Sequence, residues 1–128
     1  MKHIFFLLCF LCVTAVSAMA QDAVKADPKH YTVEFENDQV RVLRIRYGPH
    51  EKSVMHKHPA GVAIFLTDSN TRFTSPSGRT EERPGKAGQV LEASAETHLP
   101  ENLSDQPFEA ILVELKAKPA KSRQHKKR

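Results

Sequence analysis

Beyond Cys12 this chain of 128 residues contains no cysteine. No disulfide can staple the remainder, and no thiolate can act there as nucleophile or metal ligand. A Ser-His-Asp order, a phosphate loop and a dinucleotide fingerprint are also missing, which leaves serine-hydrolase and nucleotide chemistry without support. From Tyr31 onward no helical period can be read, and strands without intervening helices exclude a doubly wound fold. No segment repeats. The stability of such a chain must come from one buried core, helped by a bound metal or a second subunit.

What is present begins with a leader. Met1-Lys2-His3 is a short basic start, Ile4 to Ala18 is almost wholly apolar, and Ala18-Met19-Ala20 fits an A-x-A cleavage site. This is the layout of a secretory signal peptide over 1–20, too short to span a bilayer, and it implies export to the periplasm or the medium. The far end is equally distinct. Lys116 to Arg128 carries seven Lys or Arg and no acid, so the formal +4 and the pI near 9.2 describe a tail while the domain is acidic. The reading is a disordered tail over 116–128 that touches anionic surfaces weakly; export leaves nucleic acid an unsuitable partner.

Between these ends, 21–30 reads as a flexible lead-in and 31–115 as one domain of short strands. Tyr31, Val33 and Phe35 alternate with polar residues; Val40 and Val42 do the same before the pattern slips to Leu43, Ile45 and Tyr47. That slip suggests a β-bulge near Val42-Leu43, with Arg41, Arg44 and Arg46 on the solvent face. Ser53 to His58 is a strand, Val62 to Thr67 a buried one, Pro76-Ser77-Gly78 a hairpin turn, and Phe108 to Leu115 the closing strand. Val62, Ile64, Phe65, Phe73, Phe108, Ile111 and Val113 are the expected core. Strands at roughly 8–12-residue spacing indicate an all-β sandwich or small barrel with little or no helix.

His56-Lys57-His58 carries the chemistry. Side chains two apart on a strand share a face, so both imidazoles point one way. With His98 brought in by another strand they make three corners of a metal site. Imidazole suits several transition metals, and three neutral ligands leave positions open for water or substrate.

With Gly48, His56-Lys57-His58-Pro59, Gly88 and His98-x3-Asn102 in place, the segment Tyr31–Leu115 resembles a single-domain cupin, a double-stranded β-helix or jelly-roll barrel. The resemblance implies that His56, His58 and His98 bind one divalent metal inside the barrel, with Asn102 beside the site. It also implies that two copies pair through their sheets. The sequence departs from the family pattern at the usual fourth ligand: the Glu would fall at Val62 or Ala63. Three neutral imidazoles leave the full +2 charge on the ion, a stronger Lewis acid and a better host for an anionic ligand.

The resemblance favours Fe(II), with Zn, Ni or Mn as alternatives, and a dioxygenase-like oxidoreductase acting on a small organic substrate. A non-catalytic module for a small ligand or metal, and metal-assisted isomerase or lyase chemistry, use the same ligands. Glu96, two positions before His98, and His50, six before His56, are the candidate proton carriers. His30 and His125 receive no role. Since imidazole binds metal only when neutral, affinity is expected to fall below about pH 6.5.

Overall fold

The computed structural model describes residues 20–118, so the expected leader (Ala20 apart) and residues 119–128 of the tail lie outside the described residues. In order come β1 (Gln21–Asp22), α1 (Ala23–Ala26), β2 (Tyr31–Glu36), β3 (Val40–Tyr47), β4 (His56–His58) and β5 (Gly61–Phe65). They are followed by β6 (Ser69–Thr74), β7 (Thr80–Gly85), β8 (Val90–Ala93), β9 (Glu96–Asn102) and β10 (Phe108–Leu115). Two five-stranded sheets, ordered β1-β4-β9-β6-β7 and β2-β3-β10-β5-β8, face each other. Every pairing is antiparallel except β1 with β4. This is the expected all-β double-stranded β-helix.

The turns follow their residues. Gly78, at φ 84°, closes the β6–β7 hairpin, where Ser75 O accepts the Gly78 N–H at 2.9 Å. Gly61 answers a different demand: a Cβ there would stand 2.0 Å from the Val113 carbonyl oxygen, so only glycine lets β5 lie against β10.

The core is Ala23, Tyr31, Leu43, Tyr47, Phe108 and Leu112, with Ala110 also buried. Of the expected core residues only Phe108 belongs to it; Val62, Ile64, Phe65, Phe73, Ile111 and Val113 are half-buried. The reason lies in β10. Phe108, Ala110, Leu112 and Glu114 face inward, while Ile111 and Val113 lie on the outer face of the same sheet. Both faces are apolar, so hydrophobicity alone could not say which one met the barrel.

Four further expectations are corrected. The segment 21–30 is no loose lead-in: β1 pairs with β4, Ala23 is fully buried, and His30 is packed within the structure. The bulge sits in β2, where Glu34 is the extra residue between the pairs Val33–Leu43 and Phe35–Val42. In β3 the alternation is unbroken, which turns Arg41 inward beside Glu114, its cross-strand neighbour. Finally, Lys116 is tied to the barrel rather than to the tail: its N–H donates to Gln39 O at 2.8 Å and its Nζ meets Glu36 at 2.7 Å.

Candidate metal centre

The strand register assembles the histidines. β4 and β9 pair with His56 directly opposite His98, and His58 lies two residues along on the same face. All three are buried, His56 completely. One ring nitrogen from each can be chosen so that the three lie within 4.8 Å of one another. No other such group of metal-binding side chains occurs among the described residues.

Hydrogen bonds decide what those nitrogens present. His56 Nδ1 is 2.8 Å from Val54 O, which only accepts, so Nδ1 carries the proton. His58 Nδ1 lies 2.7 Å from Glu114 Oε1 and donates to it for the same reason. With both Nδ1 atoms committed, each ring turns its Nε2 inward, and those two nitrogens stand 3.1 Å apart. Two ring nitrogens this close share either a proton or a metal ion. Two nitrogens each about 2.0–2.1 Å from one ion would have about this separation. His98 Nδ1 comes within 3.0 Å of Glu96 Oε1 but makes no well-directed bond, and it stays a buried ring nitrogen without a partner. The donor set fits a divalent transition metal.

Electrostatics hold the cluster ready. Burial, then the neighbouring His58 and His98, pushes His56 down to about 4, so it is neutral at physiological pH. Burial also lowers His98 despite its carboxylate neighbour. Glu96 is held at about 2, first by its contact with His98 and, against the cost of burial, by Arg83.

The surrounding wall is aromatic. Tyr31 packs against His56 and His58 at centroid distances of 4.8 and 5.3 Å, and its hydroxyl bonds that of Tyr47 at 2.8 Å. Tyr47 is stacked between His30 and Phe108. A cavity of about 420 Å³ opens from this wall, with His58 and His98 at its floor, Phe65, Phe73 and Leu112 on its sides, and Glu81, Arg83 and Glu96 toward solvent. Arg83 lies over Phe73 and bridges Glu81 and Glu96.

Of the two candidate proton carriers, the fold brings Glu96 to the cluster and leaves His50 away from it. His50 is exposed, in a left-handed turn at φ 56°, and pairs with Asp105 at 2.6 Å. Asn102 is fully buried but structural: its Nδ2 donates to Gly48 O and Gln106 O, and its Oδ1 accepts from Ser104 N. Sequence reasoning missed Glu114, whose signal was an acid at the inward parity of an apolar strand. It also missed the cluster behind His56. There Ser53 Oγ donates to Asp27 at 2.5 Å, Asp27 holds His30 at 2.6 Å, and His30 Nε2 reaches Glu51 at 2.8 Å.

No protein-family model matches the sequence, and no curated protein matches it significantly. Solved structures do. A cupin domain from Bordetella pertussis is 25% identical, with a TM-score of 0.63 over 68% of this chain and 92% of that one. A double-stranded β-helix protein from Klebsiella pneumoniae gives 19% identity and a TM-score of 0.52, covering 69% and 84%. An RmlC-like cupin family protein from Methanocaldococcus jannaschii gives 17% and 0.52, covering 70% and 83%.

Proposed function

From the premise that this chain has the cupin fold, we propose that it is an exported metal-binding cupin that uses His56, His58 and His98 to hold one divalent transition metal, Fe(II) foremost. The observation that carries this reading is the convergence of three buried histidines within 4.8 Å, with the Nε2 atoms of His56 and His58 3.1 Å apart and both of their Nδ1 atoms committed elsewhere. Such a metal supplies Lewis-acid polarisation and, if iron, the means to bring an organic substrate and oxygen together. The chain does the rest. Tyr31 and the aromatic wall limit water at the floor of the cavity, and the 420 Å³ space suits a small organic molecule with an apolar body. Glu96 serves as a charge neighbour of His98, 3.0 Å from its Nδ1: with its carboxyl near 2 it is a weak proton acceptor at neutral pH.

A second reading, a non-catalytic binder of a small ligand, gains from the same geometry. Glu114 is locked by Arg41 and Glu96 by Arg83, so neither carboxylate is free to act as a general base.

The test is elemental analysis of tag-free protein beside the His56→Ala and His98→Ala variants, followed by oxygen uptake with Fe(II)-loaded protein against small organic substrates. Near-stoichiometric metal in the wild type alone, with uptake, supports the oxidoreductase. Metal without any turnover favours the binder. Absence of metal after anaerobic reconstitution would sink the metal-dependent reading and leave a metal-free small-ligand binder.

A further inference from the structure

Behind His58 a row of alternating charges runs through the barrel wall. Glu114, on β10, is 1% exposed. Its Oε1 accepts the His58 Nδ1–H at 2.7 Å. Its Oε2 accepts from Arg41 Nε at 2.7 Å and meets the Arg41 Nη2 at 2.6 Å. Arg41 also grips Asp22, through Nη1 at 3.2 Å and through Nη2. Asp22 caps α1 by accepting from Val24 N, and it lies on the strand that pairs with β4.

An isolated buried carboxylate is costly, so Glu114 needs a partner. A bidentate fork to Arg41 would satisfy both of its oxygens and is the preferred geometry for that pair. The structure shows a different arrangement. Arg41 places two nitrogens on one oxygen, and the other oxygen is left for the imidazole.

We propose that Glu114 is the positioning residue of the metal site: it fixes His58 in the Nδ1–H tautomer and aims Nε2 at the ion, while Arg41, anchored by Asp22, holds the carboxylate in place. The proposal rests on the metal-binding reading above. It gives the chain a carboxylate where its motif lacks one, acting through a ligand rather than on the metal. A carboxylate behind a ligating imidazole makes that imidazole a better donor, and losing such a partner typically costs 10–100-fold in metal affinity.

The experiment compares wild type, Glu114→Gln and Glu114→Ala as full-length purified chains. Gln retains an acceptor oxygen without the charge; Ala removes both. Affinity is read by competition with a chromophoric chelator, and the His58 tautomer by imidazole nitrogen NMR on metal-free protein. The expected result is affinity lowered about 10–100-fold in Glu114→Ala and less in Glu114→Gln. The Nδ1–H tautomer should be kept in wild type and Glu114→Gln and become mixed in Glu114→Ala. Wild-type affinity in a folded Glu114→Ala, with the tautomer unchanged, overturns the positioning role alone. A wild type that binds no metal overturns the metal reading and this inference together, whatever the tautomer.

Discussion

Acid separates the roles of individual residues at this site. His56, at about 4 when folded against 6.5 in an open chain, refuses a proton that the unfolded state accepts. In metal-free protein its contribution to stability is therefore complete above about pH 6.5 and is lost as pH falls toward 4, a change on the order of 3 kcal/mol. His98, also lowered, acts with the same sign. Glu96 behaves differently in window: its stabilising contribution is present above its ordinary carboxyl value and is lost only as pH falls toward 2. Urea unfolding of chelator-treated protein at pH 7, 5.5 and 4 measures the first window, and a flat profile would contradict a buried neutral His56. Reasoning from unperturbed imidazole put the loss of metal near pH 6.5; burial moves the proton competition at His56 to about pH 4. Asn102 offers a second test. Removing its three hydrogen bonds with Asn102→Ala leaves Gly48 O, Gln106 O and Ser104 N without their partner. The expected loss is about 2–4 kcal/mol in a denaturant melt; a loss below about 1 kcal/mol would show that water replaces the side chain.

Among the elements, the β5–β10 contact is the least forgiving. Gly61→Ala would set a methyl group 2.0 Å from the Val113 carbonyl oxygen, so the two central strands must part. A loss above about 2 kcal/mol is expected, with amide exchange accelerated first along β5. The elements also show what a sequence can and cannot reveal. His-x-His on a strand specifies a shared face by geometry, so His56 and His58 were legible, and the Gly78 hairpin was legible from its turn residues. β1 and α1 were not, because a two-residue strand and a single helical turn carry no period; Ala23 becomes core only through contact with the barrel. The inward face of β10 was hidden by apolar residues at both parities, and with it the meaning of Glu114.

For the whole molecule, that double apolarity has a counterpart outside. On the outer face of β2-β3-β10-β5-β8, Phe35, Val42, Val113 and Val62 follow one another in register, and Ile111, Ile64 and Val90 form the next row. Phe35, Val90 and Leu115 are more than half exposed. A sheet with one wet face alternates with polar residues, whereas one apolar on both faces is normally covered. The proposed homodimer would cover it. Sedimentation should then show a dimer that a Val62→Lys/Val113→Lys variant breaks, and a monomeric wild type would mean that water tolerates this face. Removal of 119–128 is expected to leave the thermal midpoint within a few degrees, because Lys116 retains its ties to Gln39 and Glu36.

The row from Asp22 through Arg41 and Glu114 to His58 also has a history in time. It joins the first described strand to the last, and Glu114 lies 56 positions from the histidine it holds and 73 from Arg41. Contacts so distant along the chain form late, after long loops have closed, and barrels of this topology fold in about milliseconds to seconds. While the polypeptide is being synthesised, all three histidines emerge before the carboxylate does. A nascent or truncated chain can thus display the ligands without the group that aims His58, and full-strength metal capture would await release of the finished protein.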